Sequence, residues 1–81
     1  MVSLAENKLR NTIGKVLLLD EAEVTDDLAR EAVEAWDSLA HLMLISEVES
    51  TFQVTFSDDD ILEIKTVGDV KKMLRKYGVN I

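Results

Sequence analysis

The 81-residue chain contains no cysteine and no proline, and it has only three glycines and one histidine. Without cysteine, neither a disulfide framework nor a thiolate metal site is available. The N-terminus lacks the apolar run of a signal peptide, and no apolar stretch reaches the length that spans a membrane. We therefore expect a soluble cytoplasmic protein that does not enter a membrane.

Large side chains are also few, because the chain has only two phenylalanines, one tyrosine and one tryptophan. A chain of this size buries only about 60% of the surface that it exposes when unfolded, so its core is small. Such a core does not readily support a deep enzyme cleft. We expect a monomer that forms a single domain over residues 1–81.

Basic residues are nearly absent from the middle of the sequence, where Arg30 is the only one between Asp20 and Glu63. An acidic surface repels nucleic acid and anionic membranes, and it attracts basic protein surfaces over long range. The same acidity also keeps a small domain in solution. The charge alone does not choose between a partner-binding role and simple solubility.

The longest uninterrupted helical pattern runs from Asp37 to about Phe52, a stretch without glycine or proline. Asp37 and Ser38 are both good N-cap residues, since their side-chain oxygens accept from free N–H groups of a first turn. Helical spacing predicts one uncharged core face, formed by His41, Leu44, Ile45, Val48 and Phe52. Leu39, Leu42 and Met43 lie beside this face, which indicates either a docking surface or a second buried contact.

Shorter patterns predict the remaining helices. Ser3 and Glu6 have the spacing of a capping box, and apolar periodicity predicts a helix over residues 4–17. Ser57 precedes three acids and is a good cap for a short helical turn, and Thr66 is placed to cap the last helix.

The last helix is predicted to bury Val67, Val70, Leu74 and Tyr77 and to stop at Gly78. The expected fold is all-α, a small bundle of three main helices plus one short helix.

The long connection from Leu18 to Asp37 is predicted to pack through Val24, Leu28 and Val33. Trp36 is expected to anchor this loop in the core, because a large ring contributes heavily to a small core. A ligand contact is the other interpretation of Trp36.

Two chemical interpretations fit the residues poorly. The run Asp58–Asp60 lacks the alternating oxygen ligands, central glycine and distal glutamate of a calcium loop, so we predict no metal site. Ser38, His41 and Asp37 have the residue types of a hydrolytic triad. However, Asp37 adjoins the serine instead of lying behind the imidazole, and no oxyanion loop is evident. We predict no catalytic residues.

Three segments together carry a family resemblance. The Asp37-Ser38-Leu39 start of a helix, then Glu49 and Phe52, then the run from Ile64 to Asp69, resemble the acyl carrier protein family. The likeness extends from about Val24 to the last helix without a gap, and more loosely over the first helix.

The resemblance implies a carrier, not an enzyme. In that family the serine of Asp-Ser-Leu receives 4′-phosphopantetheine from coenzyme A, and the terminal thiol carries acyl groups as thioesters. Ser38 would be the attachment residue, and Asp37 would cap the helix and help to dock the phosphopantetheinyl transferase. The other expected partners are an acyl- or aminoacyl-loading ligase and acyl-transfer enzymes, with neither nucleic acid nor membrane.

The same resemblance and the helical periodicity suggest two further sets of residues. The predicted partner-docking residues are Leu39, Leu42, Met43, Glu47 and Glu49. The predicted walls of an acyl pocket are Ile45, Val48, Phe52, Ile61 and Ile64.

The sequence departs from fatty-acid carriers at several positions. Those carriers usually have acids two and five residues after the modified serine, where this chain has Ala40 and Met43. They also usually have an aromatic residue where Arg30 stands. The run Trp36-Asp37-Ser38-Leu39 with His41 instead looks like the stand-alone carriers of specialised pathways, including aminoacyl or peptidyl carriers. A different class of function stays open: a small acidic helical adaptor that binds a basic partner and carries no prosthetic group.

Overall fold

A computed structural model describes residues 4–81 of the chain. Four α-helices make up the fold: α1 (Leu4–Leu17), α2 (Ser38–Phe52), α3 (Asp58–Glu63) and α4 (Val67–Lys76). The predicted all-α bundle of three main helices and one short helix is confirmed. Ser3, the predicted cap of α1, lies outside the described residues. Within residues 4–81, no helix is both long enough and apolar enough to cross a membrane.

Helix α1 packs against α2 and contributes Leu9, Ile13 and Leu17 to the core. Gly14 lies in α1 at a close approach of the chain that follows it. Its carbonyl accepts from the Leu19 N–H at 2.8 Å, and a Cβ at this position would lie 2.7 Å from the Leu19 carbonyl oxygen. Glycine is unfavourable in a helix interior. At Gly14 it is needed because any side chain would clash with the backbone of Leu19.

The connection between α1 and α2 contains two short 3₁₀ turns, Glu21–Glu23 and Arg30–Ala32, which the sequence pattern did not predict. Backbone hydrogen bonds join this loop to the start of α4. Arg30 N donates to Lys65 O at 2.8 Å, Val67 N to Leu28 O at 3.1 Å, and Gly68 N to Asp26 O at 2.8 Å. The start of α4 therefore fixes the path of the loop as it approaches Ser38.

The predicted caps of α3 and α4 are confirmed. The Ser57 hydroxyl accepts from Asp60 N at 3.2 Å, and the Thr66 hydroxyl accepts from Asp69 N at 3.1 Å. Gln53 is the C-cap residue of α2. Gln53 is left-handed, with φ 57° and ψ 47°, and its side-chain amide donates to the Ser50 carbonyl at 2.9 Å. This amide satisfies one of the free carbonyls of the last turn.

The prediction that Tyr77 belongs to the buried stripe of the last helix is wrong. Tyr77 is the C-cap residue, is 39% exposed, and donates its hydroxyl to the buried carboxylate of Asp60. Lys76 donates to the other oxygen of Asp60 at 2.8 Å. These hydrogen bonds hold the pKa of Asp60 well below its ordinary value. The bond from Lys76 has the largest effect on the pKa, and together the bonds outweigh the opposing effect of burial.

A second ion cluster joins α1, the loop and α4 around one buried lysine. Lys71 is buried and donates to the carboxylates of Glu6 and Asp26, the latter at 2.6 Å. Burial opposes the charged form of Lys71, but the hydrogen bonds to Asp26 and Glu6 outweigh it and raise its pKa. Sequence analysis did not predict this cluster, because helical periodicity does not show which acids lie near Lys71 in space.

Candidate functional site

The start of α2 presents a serine hydroxyl to solvent. Asp37 is the N-cap residue, and its Oδ1 accepts from Ala40 N at 2.8 Å. Ser38 is the first residue of the helix and is exposed. Because Asp37 satisfies the cap, the Ser38 hydroxyl is not needed for it. Of the two residues that the sequence offers as caps, Asp37 therefore makes the cap and Ser38 leaves its hydroxyl available for another role.

Arg30 is the basic side chain beside this hydroxyl. Its Nη2 donates to Ser38 Oγ at 3.2 Å, and its Nε donates to the Trp36 carbonyl at 3.3 Å. Among residues 4–81, no carboxylate lies within salt-bridge distance of Arg30. Sequence analysis noted Arg30 as the one base of the middle segment and as a departure from the family pattern, but it did not place Arg30 beside Ser38. The available signal was that it is the one base in an acidic stretch.

Trp36 and His41 lie behind the exposed face of the site. The indole Nε1 donates to His41 Nδ1 at 2.9 Å, and His41 Nε2 lies 3.0 Å from the Ile61 carbonyl. Since an indole nitrogen is only a donor, Nδ1 accepts and Nε2 carries the proton toward Ile61. Both ring nitrogens are occupied in the core, so His41 is not placed to act as a base for Ser38. Trp36 is buried, as expected of a packing residue.

The predicted docking residues divide into two groups. Leu39, Leu42 and Met43 are 68%, 59% and 52% exposed, so no second buried contact covers them. Glu47 is exposed, whereas Glu49 is half-buried and its Oε2 accepts from Phe56 N at 2.7 Å. Glu49 therefore holds the chain that leaves α2, and a docking role for either glutamate stays a prediction.

The predicted acyl-pocket residues lie within or against the core. Ile45, Val48 and Ile64 are buried, and Phe52 and Ile61 pack against them while partly exposed. Other residues line two surface cavities. One cavity, of about 470 Å³, lies beside α1. The second, of about 510 Å³, is next to the site and is lined by Ala29, Arg30, Glu31, Trp36, Lys65 and Thr66.

Among residues 4–81, no group of histidine, cysteine or acidic side chains is arranged to hold a metal ion. The three consecutive acids illustrate why. Asp60 is turned inward to Lys76 and Tyr77, while Asp58 and Asp59 are exposed in the first turn of α3.

Comparison with known proteins places this geometry in a family. The family profile described as "Phosphopantetheine attachment site" matches residues 7–74. The chain belongs to the acyl carrier protein family. An acyl carrier protein from Onion yellows phytoplasma is 38% identical over 63 residues, covering 78% of this chain and 83% of that protein. One from Thermotoga maritima is 33% identical over 70 residues and covers 86% of each chain.

A solved structure of a candidate acyl carrier protein from Mycobacterium tuberculosis has the same fold. It superposes with a TM-score of 0.81 at 32% identity, covering 90% of this chain and 97% of that one. Acyl carrier proteins are carriers, not enzymes, and they hold 4′-phosphopantetheine covalently. They are substrates of phosphopantetheinyl transferases and exchange acyl groups with acyl-processing enzymes.

The residues at the start of α2 fit a phosphodiester-linked group. The Ser38 hydroxyl is exposed, a guanidinium lies at hydrogen-bond distance from it, and the carboxylate of the adjacent Asp37 accepts from the backbone of Ala40. A cation together with a helix N-terminus favours a phosphate at this position.

Proposed function

We propose that this acyl carrier protein carries acyl or aminoacyl groups as thioesters on a 4′-phosphopantetheine arm attached to Ser38. The observation that carries the proposal is the exposed Ser38 hydroxyl at the first residue of α2, left free by the Asp37 cap. The position lies inside the segment that matches the phosphopantetheine-attachment family. Ser38 supplies the attachment point, and other enzymes supply the catalysis.

The attachment reaction asks little of the chain itself. The Ser38 oxygen bonds to the phosphorus that bears the pantetheine, the pyrophosphate bond of coenzyme A breaks, and the adenosine bisphosphate leaves. The hydroxyl proton passes to a base of the transferase, since His41 is occupied in the core. The arm, once attached, supplies the thiol that holds the cargo.

The exposed surface of α2 supports docking of the enzymes that reach this arm. Leu39, Leu42 and Met43 form an apolar patch one to five residues beyond Ser38. Buried apolar area contributes roughly 25 cal/mol per Å², whereas an exposed ion pair contributes at most about 1 kcal/mol. We infer that the cognate enzymes have partly apolar docking surfaces, as in a specialised pathway, with Glu47 adding charge at the edge.

The apolar core supports the proposal that an apolar cargo binds inside the bundle. Ile45, Val48 and Ile64 belong to the buried apolar core, and Phe52 and Ile61 are partly buried against it. Separation of α2 from α3 would open a channel between them for a narrow acyl chain. We propose that the protein works as a monomeric single-domain carrier in the cytoplasm, and the absence of a membrane-spanning helix within residues 4–81 is consistent with this.

The adaptor alternative, a protein that binds a basic partner and carries nothing, is disfavoured by the family match over residues 7–74. One experiment separates the two functions. Incubation with coenzyme A, magnesium and a broad-specificity transferase should add the mass of one phosphopantetheine to the wild type. Ser38→Ala should gain nothing, and Ser46→Ala, which removes an exposed serine further along α2, should be modified normally. An unmodified wild type, or a modified Ser38→Ala variant, would contradict the proposal.

A further inference from the structure

We propose that Arg30 binds the phosphodiester of the arm on Ser38, and that the cavity beside Arg30 receives the part of the arm next to the phosphate. The inference rests on the proposed attachment at Ser38 and adds a binding site to it. The site lies between the loop and the start of α4, away from the exposed apolar patch of α2.

Hydrogen bonds hold the guanidinium of Arg30 beside Ser38. The Arg30 backbone N–H is bonded to the Lys65 carbonyl at 2.8 Å, and the side-chain Nε is bonded to the Trp36 carbonyl at 3.3 Å. The first bond fixes the Arg30 backbone, and the second holds the guanidinium end of a side chain that is otherwise long and flexible. Nη2 is thereby directed at Ser38 Oγ, the oxygen that would carry the phosphorus. Because Arg30 is already held in place, binding of the phosphodiester costs little further side-chain entropy.

The positive charge of Arg30 favours an anionic group on Ser38. Arg30 is the only base between Asp20 and Glu63, and among residues 4–81 it has no carboxylate partner. The acceptors of its guanidinium are both neutral, the Trp36 carbonyl and the Ser38 hydroxyl. A phosphodiester carries a full negative charge, and hydrogen bonds to ionised acceptors are roughly twice as strong as those to neutral ones. Modification of Ser38 therefore replaces a weak acceptor with a strong one beside a cation that is already in place.

A surface cavity beside Arg30 provides space for part of the arm. The adjoining cavity has a volume of about 510 Å³, within the usual range of small-molecule sites. Its walls combine Ala29 and the edge of Trp36 with the polar side chains of Glu31, Lys65 and Thr66. Pantetheine likewise combines methyl groups with a hydroxyl and two amides. Lys65 adds a second cation on the side of the cavity formed by the start of α4.

The test uses the absence of cysteine from the chain. The arm supplies the one thiol of the modified protein, so a nitroxide label attached through it marks the arm alone. The samples are the modified wild type, Arg30→Gln and Arg30→Lys. Lys72→Gln is the matched control, because Lys72 is an exposed base on α4 outside the cavity. Intact mass first establishes complete modification of every sample.

In the wild type we expect paramagnetic broadening of the amide signals of Ala29, Glu31, Lys65 and Thr66. The phosphorus-31 chemical shift should move when salt is added, because salt screens the pairing with Arg30. Both effects should be lost in Arg30→Gln, partly kept in Arg30→Lys and unchanged in Lys72→Gln. The rise in melting temperature from unmodified to modified protein should shrink in Arg30→Gln by on the order of a few degrees.

The outcomes distinguish this inference from the proposed function. If Ser38 is modified but the broadening and the phosphorus shift are the same in wild type and Arg30→Gln, the Arg30 site is wrong and the carrier function stands. Broadening confined to α2 would also overturn it. If the wild type gains no mass at all, the proposed attachment fails, and this site fails with it.

Discussion

The indole N–H of Trp36 donates to Nδ1 of His41 across 2.9 Å, and the two rings stack with their centroids 6.1 Å apart. This contact fixes the residue before the Asp37 cap to the first turn of α2. Through the second ring nitrogen, the same imidazole reaches α3 at the Ile61 carbonyl. One buried polar chain therefore links the loop, α2 and α3 behind Ser38.

Trp36→Phe and His41→Leu should each destabilise the protein. A buried polar group left without its partner costs about 1–3 kcal/mol, and loss of packing adds to this. The two residues should couple, so the double variant should lose about 0.5–3 kcal/mol less than the sum of the single changes. Urea denaturation of the unmodified protein measures all four free energies of unfolding. Strictly additive values would show that the contact contributes nothing.

The role of Asp37 as a cap can be separated from its charge. Asp37→Ala should lower the free energy of unfolding by about 1 kcal/mol, the usual loss for an N-cap, whereas Asp37→Asn should retain most of it. If Asp37 also docks the transferase through its charge, Asp37→Asn should be modified more slowly than the wild type while remaining nearly as stable. Thermal unfolding and time-resolved intact mass provide the two measurements. Equal modification rates would restrict Asp37 to capping.

Asp60 should make stability depend on pH in the acidic range. Its pKa in the folded protein lies below the ordinary value near 3.8, chiefly because Lys76 and Tyr77 donate to it. The stabilisation is therefore complete above that ordinary value and is lost as the pH falls toward the folded pKa. Asp60→Asn should be less stable than wild type near pH 7, and the difference should shrink on acidification. Denaturation midpoints across the acid range test this. A constant difference would contradict it.

Association with the transferase should weaken with salt, mainly through a slower on-rate, because the acidic surface attracts a basic partner. Glu47→Gln, which removes an exposed acid from α2, should reduce both the on-rate and its salt dependence. Glu23→Gln removes an exposed acid from the connection after α1 and should change them less. Stopped-flow binding at several ionic strengths gives the rates. On-rates that do not change with salt would assign the acids to solubility.

Partner choice can be tested at Met43, which is 52% exposed. Met43→Glu should improve acyl transfer with general fatty-acid synthesis enzymes and impair the cognate enzyme, with little change in stability. Leu4→Glu changes an equally apolar, exposed residue on α1 and should affect neither. Ala40 is less suitable for this test, because it packs against the core. A wild type that already serves the general enzymes as well as Met43→Glu would rule out the specialised-carrier proposal.

The sequence predicted most of the fold because local rules determine it. Ser57, Thr66 and Asp37 cap helices where their residue types indicated, and the α2 stripe at His41 and Leu44 is buried as its spacing required. The contacts that were missed are long-range. The Lys71 cluster joins residues up to 65 positions apart, and the loop binds α4 through backbone groups that every residue shares. Periodicity carries no information about either.

The candidate site was predicted in part for the same reason. Asp37 and Ser38 were recognised from a short motif, and their capping and exposure depend on neighbouring residues only. The contact of Arg30 with Ser38 depends on the path of the loop, which the start of α4 sets through the Lys65 carbonyl. A local pattern therefore indicated Ser38 as the candidate attachment residue but not the cation beside it.

Backbone attachment of the loop has a consequence for how such carriers diversify. The bonds from Arg30, Val67 and Gly68 use main-chain atoms only, so they impose little restriction on the exposed side chains nearby. Substitutions at exposed loop positions such as Glu31 can alter the surface beside Arg30 and Ser38 while the loop keeps its path. New chemistry beside the serine is then accessible to single substitutions, without a new fold.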